Sequence, residues 1–93
     1  MTGAALVILA ACGTGPPVQE MSDARQAIAV AREAGAADRA PNDLRAAERY
    51  LESAQRNLSE RAYDAAREDA RRAKLKALDA LAAAGDPEQR DRN

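Results

Sequence analysis

The sequence predicts an all-α fold, a small antiparallel bundle of three helices. Alanine and leucine recur at spacings of three and four along most of the chain, which is the periodicity of one helix face. Glycine and proline stand between these periodic stretches, where helices end and begin. A helical hairpin with a long third helix is the alternative. Ninety-three residues allow at most one domain, with a core near the lower size limit.

The composition excludes most enzyme chemistry. The chain has 14 basic and 15 acidic side chains, so it has no long-range field to attract nucleic acid. It has no histidine and one cysteine, so histidine metal sites, Cys/His nucleophilic pairs and internal disulfides cannot be assembled. We therefore expect no enzyme activity, no metal, no cofactor and no nucleic-acid partner.

An apolar run at residues 4–11 ends at the single cysteine, Cys12. Eight residues are too few to cross a bilayer, which needs about 20 helical residues, but they fit the apolar part of a signal peptide. We predict a signal peptide at residues 1–11 and a tether at residues 12–17. Because residues 1–3 carry no Lys or Arg, we expect the true start to lie upstream. A lone cysteine beside alanines is otherwise commonly a small buried hydrophobic residue.

The sequence Leu9-Ala10-Ala11-Cys12 resembles the lipobox of bacterial lipoproteins. The resemblance implies that Leu9, Ala10 and Ala11 are recognised by the processing enzymes, and that Cys12 receives a covalent lipid and becomes the mature N-terminus. Each buried CH₂ of the lipid adds about 0.8 kcal/mol, so two or three acyl chains hold the protein on the membrane. Gly13 in place of Asp implies the outer membrane, at its periplasmic face.

The first predicted helix covers residues 18–34, with Gly35 suited to its C-terminal cap. Residues 36–40 are expected to form a break, and Pro41 to open a second helix in its first turn. The apolar stripes of these two helices are Met21, Ala24, Ile28 and Ala31, and then Leu44, Ala47, Leu51, Ala54 and Leu58. Both stripes predict helices packed on one side.

The periodicity changes phase around residues 59–61, so a third helix is expected from about Ala62. No Gly or Pro enforces a turn there, and one long rod is the alternative. The third helix carries an alanine edge at Ala66, Ala70, Ala73, Ala77, Ala80 and Ala84, with Leu75, Leu78 and Leu81 beside it. The helical domain is predicted to cover residues 18–85, because Gly85 and Pro87 stop the helix, and residues 86–93 are expected to be a flexible tail.

Two groups of residues are candidates for a partner surface. Arg71, Arg72 and Lys74, with Lys76 beside them, form the only basic cluster and could contact anionic headgroups or polymer, although a solvated helix face is the favoured interpretation. Tyr50 and Tyr63 flank the predicted turn, where a ring is expected to fill the gap at a helix junction. A role for either tyrosine in binding is the alternative.

Two stretches of the helical part resemble known families. Residues 63–66, Tyr-Asp-Ala-Ala, with Ala70 and Ala73 resemble the second half of a tetratricopeptide-like hairpin, of which only one unit is visible. The segment from Ser22-Asp23-Ala24 through Ala40-Pro41-Asn42-Asp43-Leu44 to Tyr63-Asp64-Ala65-Ala66 resembles an alanine-rich helical lipoprotein family of proteobacteria, classed as a domain of unknown function. Some members of that family continue into an OmpA-like domain that binds peptidoglycan.

These observations favour a lipid-anchored, non-catalytic helical module that faces the periplasm and presents a surface to an envelope protein or cell-wall polymer. The alternative is a structural spacer of the envelope that associates with itself, because a thin core leaves apolar stripes to be covered. The sequence does not distinguish between these two functions.

Overall fold

The computed structural model describes residues 15–85, which form four α-helices and no strand. They are α1 (Val18–Glu33), α2 (Ala36–Arg39), α3 (Pro41–Ser59) and α4 (Tyr63–Gly85). The three long helices pack against one another, with α3 antiparallel to both α1 and α4. The all-α bundle predicted from the sequence is confirmed, with one short helix in addition.

The short helix α2 corrects the predicted break at residues 36–40. Gly35 follows α1 with a φ of +89°, a left-handed conformation that stops the helix and that glycine adopts without strain. The chain then resumes helical hydrogen bonding, and the amide of Ala40 donates to the carbonyl of Ala36 at 2.8 Å. Ala36 and Ala40 are both buried, so this single turn covers one end of the core.

A turn at Glu60 and Arg61 separates α3 from α4, so the alternative of one long rod is wrong. The amide of Ala62 donates to the carbonyl of Asn57 at 2.8 Å, and that of Arg61 donates to Leu58 at 3.0 Å. This pair of bonds is a Schellman motif, which requires a left-handed residue at its centre. Arg61 takes that conformation with a φ of 62°, although it is not a glycine.

In the core, α4 packs against both other long helices through small side chains. The six alanines of its predicted edge are all fully buried, which confirms that edge (Ala66, Ala70, Ala73, Ala77, Ala80 and Ala84). Alanine allows helix axes to approach closely, so α4 fits against α1 and α3 together. The larger core residues come from the other helices and include Met21, Ile28 and Leu44.

The leucines beside the alanine edge have different environments. Leu81 is partly buried against the core, whereas Leu75 is 61% exposed and Leu78 is 42% exposed. On α3, Leu51 and Leu58 are partly buried and pack at the margin of the core. Within residues 15–85, no helix has both the length and the apolar character needed to cross a bilayer.

Candidate functional site

Gly15, the first residue that the structure describes, is held at one end of the bundle by Arg67. The guanidinium of Arg67 donates to the carbonyl of Gly15 at 2.7 Å and also pairs with Glu20 at 3.8 Å and with Asp64 at 3.2 Å. Its side chain is only 16% exposed. The chain therefore enters the bundle beside the first turns of α4, at the end where the α3–α4 turn lies.

The predicted lipidation site precedes this point. Cys12 and the recognition residues Leu9, Ala10 and Ala11 lie outside the described residues, as does the predicted tail at residues 86–93. The lipid anchor therefore stays a prediction.

Asp69 ties α3 to α4 through a polar network that sequence reasoning missed. Its Oδ2 accepts hydrogen bonds from Ser53 Oγ at 2.6 Å and from Asn57 Nδ2 at 2.9 Å. Its other carboxylate oxygen lies 3.8 Å from Arg72, and the side chain is only 14% exposed. These residues are 12 and 16 positions apart, so no local sequence pattern could reveal the contact.

The predicted basic cluster is divided between two sides of α4 and does not form one patch. Arg71 approaches Glu20 of α1 at 4.0 Å, and Lys74 lines a groove on the same side with Asp23. Arg72 lies on the other side and pairs with Glu68 and Asp69, each at 3.8 Å. Glu68 and Arg72 are spaced i,i+4 on α4, and Glu52 and Arg56 form a pair of the same spacing on α3 at 3.7 Å.

The two tyrosines do not form a common site. Tyr63 is the first residue of α4, next to the turn as expected. Tyr50 lies in the middle of α3, nine residues before its end, so the prediction that it fills the helix junction is wrong. The reason is that Ser59, the last residue of α3, lies about 13 Å farther along the helix axis, which is too far for the Tyr50 ring to reach the turn.

Tyr50 instead lines a cleft between α3 and α4 with Arg49 and Lys76, which we call the cationic cleft. Tyr50 is half-buried, and neither Arg49 nor Lys76 forms an ion pair with a carboxylate of residues 15–85. The Asp69 carboxylate also lines the cleft, where it accepts hydrogen bonds from Ser53 and Asn57. The cleft therefore offers an aromatic ring and two cations to an anionic group, beside one carboxylate that already has partners. Sequence reasoning named Tyr50 and Lys76 in separate groups, but it missed Arg49 and did not bring the three together.

The outer side of α4 carries an exposed row of residues, the α4 ridge, formed by Arg71, Leu75, Leu78 and Ala82. Leu78 also lines the groove against α1 together with Val30, which is 41% exposed, and Leu81. Two of the four large hydrophobic side chains that are exposed in residues 15–85 therefore lie on the ridge, and a third borders it.

Among residues 15–85, no three His, Cys, Asp or Glu side chains lie close enough together to hold a metal ion. No side chain that is fully buried in this part of the chain is polar or charged. The expectations that the protein is not an enzyme and needs no metal or cofactor stay predictions.

Comparison with known proteins identifies the helical part. Neither the curated proteins nor the solved structures contain a match to the chain. The model of one family, described as a domain of unknown function (DUF4398), matches residues 19–92, which include almost all of the four helices. The predicted relationship to a domain of unknown function is confirmed, and the chain belongs to the DUF4398 family.

Proposed function

We propose that this protein is a lipoprotein of the bacterial envelope, anchored through a lipid on Cys12 at the periplasmic face of the outer membrane. Its helical bundle then acts as a non-catalytic interaction module. The observation that carries this proposal is Leu9-Ala10-Ala11-Cys12, which combines the lipobox residue types with the chain's only thiol. A helix that spans the bilayer is not needed, because acyl chains supply the membrane affinity.

The contact between Arg67 and Gly15 supports the proposal by linking the tether to a defined end of the bundle. Cys12 and Gly15 are three residues apart, and an extended chain of that length reaches about 10 Å. A lipid on Cys12 would therefore hold the first turns of α1 and α4 close to the membrane surface.

Two described surfaces are available to a partner. The cationic cleft of Arg49, Tyr50 and Lys76 suits a carboxylate or phosphate group of an envelope protein or cell-wall polymer. The α4 ridge is apolar at Leu75 and Leu78 and favours the second candidate function, a structural spacer that associates with itself.

Membrane fractionation of a Cys12→Ser variant tests the anchor. Both proteins are produced in a bacterial host that processes lipoproteins and is supplied with a radioactive fatty acid. The wild-type protein is expected in the membrane fraction with the label, and the variant is expected to lose the label. Ala4→Ser is the matched control, because it adds the same hydroxyl to the same segment and leaves the thiol intact. Fatty-acid labelling of Cys12→Ser equal to that of the control would refute the proposal.

A further inference from the structure

The α4 ridge presents two leucines to solvent in a row whose spacing is the one that helices use when they pair. Arg71, Leu75, Leu78 and Ala82 follow one another at intervals of four, three and four, and all four are exposed. The alanine edge of the same helix packs against α1 and α3, so the ridge faces away from the core. Only its α1 side has neighbours within residues 15–85, because Arg71 reaches Glu20 at 4.0 Å and Leu78 borders the groove against α1. Exposed leucines on such a row are typical of a helix that packs against another helix.

We propose that the α4 ridge docks onto the α4 ridge of a second copy of this chain, with the two helices antiparallel. The pairing has a two-fold axis between Leu75 and Leu78, so that Leu75 of each copy packs against Leu78 of the other. In the same register, Arg71 of each copy lies beside the small Ala82 of the other. The inference rests on the second candidate function, the self-associating spacer, and deepens it by naming the surface and the orientation of the contact.

Charge complementarity along the edges of the ridge supports this partner. Arg72 and Asp79 are seven residues apart, so both lie on one edge of α4, the edge that faces α3. A two-fold antiparallel pair places this edge of one copy beside the same edge of the other copy. In the proposed register, Arg72 of one copy approaches Asp79 of the other, and the pair occurs twice. Asp79 has no ion-pair partner within residues 15–85.

The arginine on the ridge distinguishes this orientation from a parallel one. Parallel pairing would place Arg71 directly against Arg71 of the second copy, and two guanidinium groups repel each other in a contact that excludes water. Antiparallel pairing replaces that contact with Arg71 against Ala82, where the guanidinium can reach solvent over a small side chain.

The antiparallel pair is compatible with a lipid anchor on each copy. Arg67, which holds Gly15, lies seven residues before Lys74 and therefore on the edge of α4 that faces α1. The two-fold axis brings these edges to the same side of the pair. Both tethers then leave from one side, and both can reach a single membrane on which the helices lie flat.

Disulfide crosslinking between two ridge positions tests the register. Arg71→Cys and Ala82→Cys are each introduced into full-length chains that carry Cys12→Ser, so that each chain has a single thiol, and the proteins are oxidised in detergent. A mixture of the two variants is expected to form the mixed dimer. Each variant alone is expected to form little dimer, because eleven residues separate the like positions by about 16 Å along the axis.

Sedimentation of Leu75→Glu, introduced into the same Cys12→Ser chain, provides an independent test that does not need a disulfide. This substitution places a charge at the centre of the pair and is expected to weaken dimerisation at least about tenfold. Val18→Glu is the matched control, since Val18 is 71% exposed and lies on α1, and it should leave the dimer unchanged. Circular dichroism verifies that both variants keep the helical content of the parent.

The outcomes separate this inference from the proposed function. Dimers of each single variant with itself, or no crosslink in the mixture, would overturn the antiparallel ridge contact. Equal sedimentation of Leu75→Glu and the parent chain would also overturn it. Because these measurements use chains without the lipid, they can fail while the fractionation of Cys12→Ser still supports the anchor.

Discussion

Ser53 donates a hydrogen bond of 2.6 Å to Asp69, and this contact joins the middle of α3 to the first half of α4. The same carboxylate oxygen accepts from Asn57 at 2.9 Å, so one acidic side chain fixes two residues of the neighbouring helix. In a core built mainly from alanine, such a polar contact contributes to the alignment of the two helices as well as to stability.

Replacing Asp69 is expected to destabilise the bundle by about 1 to 3 kcal/mol, because Asp69→Ala leaves two partly buried donors without their acceptor. Asp79→Ala is the matched control, since it removes an exposed aspartate from the same helix and, at a protein concentration low enough to keep the chain monomeric, should change stability by less than about 0.5 kcal/mol. Urea unfolding followed by circular dichroism measures both. Equal midpoints for the two variants would show that the network does not stabilise the fold.

Enlarging a core alanine is expected to disrupt the packing of α4. Ala77 is fully buried and belongs to the same cluster as Ile28 and Ala47, so Ala77→Leu forces the helices apart and should cost about 1 to 3 kcal/mol. Leu75→Ala makes the reverse change on the exposed side and should alter the stability of the monomer by less than about 0.5 kcal/mol. Thermal unfolding at low protein concentration tests the pair, and a Leu75→Ala loss as large as that of Ala77→Leu would contradict the assigned faces.

Relieving the left-handed residue of the α3–α4 turn is expected to stabilise the protein. Arg61→Gly removes the side chain that makes a φ of 62° unfavourable, and we expect a gain of about 0.5 to 1 kcal/mol in the free energy of unfolding. The neighbouring Glu60→Gly should instead lower stability, because Glu60 has a negative φ of −91° that needs no glycine. Urea unfolding distinguishes the two, and a loss of stability in Arg61→Gly would contradict the turn geometry.

In the turn after α1 the left-handed residue is already a glycine, so replacing it should lower the stability of the protein. Gly35→Ala is expected to lower the free energy of unfolding by about 1 kcal/mol, because alanine is strained at a φ of +89°. The effect comes from the backbone, since the added Cβ would meet only the side chain of Arg39, at 3.6 Å. Gly85→Ala is the control, since that position is helical and open, and it should be neutral or stabilising. A differential scanning calorimetry series in which both variants melt alike would argue against the left-handed cap.

Local periodicity was sufficient to predict the long helices and their inner faces. The alanine edge of α4 and the cap at Gly35 follow from residue spacing and from glycine's freedom at positive φ. The residue types at the α3–α4 turn do not predict its left-handed conformation. Arginine does not favour that conformation, and the hydrogen bonds around Arg61 impose it. The short helix α2 was predicted as a break because Gly35 and Pro41 flank it, and neither residue indicates that the chain between them resumes helical hydrogen bonding.

The contacts that define the candidate surfaces depend on tertiary structure. Tyr50 and Lys76 share a cleft although 26 residues separate them, and Ser53 meets Asp69 only because α3 and α4 are antiparallel. The outward orientation of Leu75 likewise depends on which edge of α4 the other helices cover. A helical pattern predicts that faces exist, whereas the arrangement of the helices decides which face is buried.

The intact mass of the protein purified from the membranes of a bacterial host that processes lipoproteins tests the central claim most directly. The account predicts a chain that begins at Cys12, has lost residues 1–11 and carries the added mass of a diacylglyceryl group on its sulfur. A chain that retains residues 1–11 with a free thiol at Cys12 would contradict it.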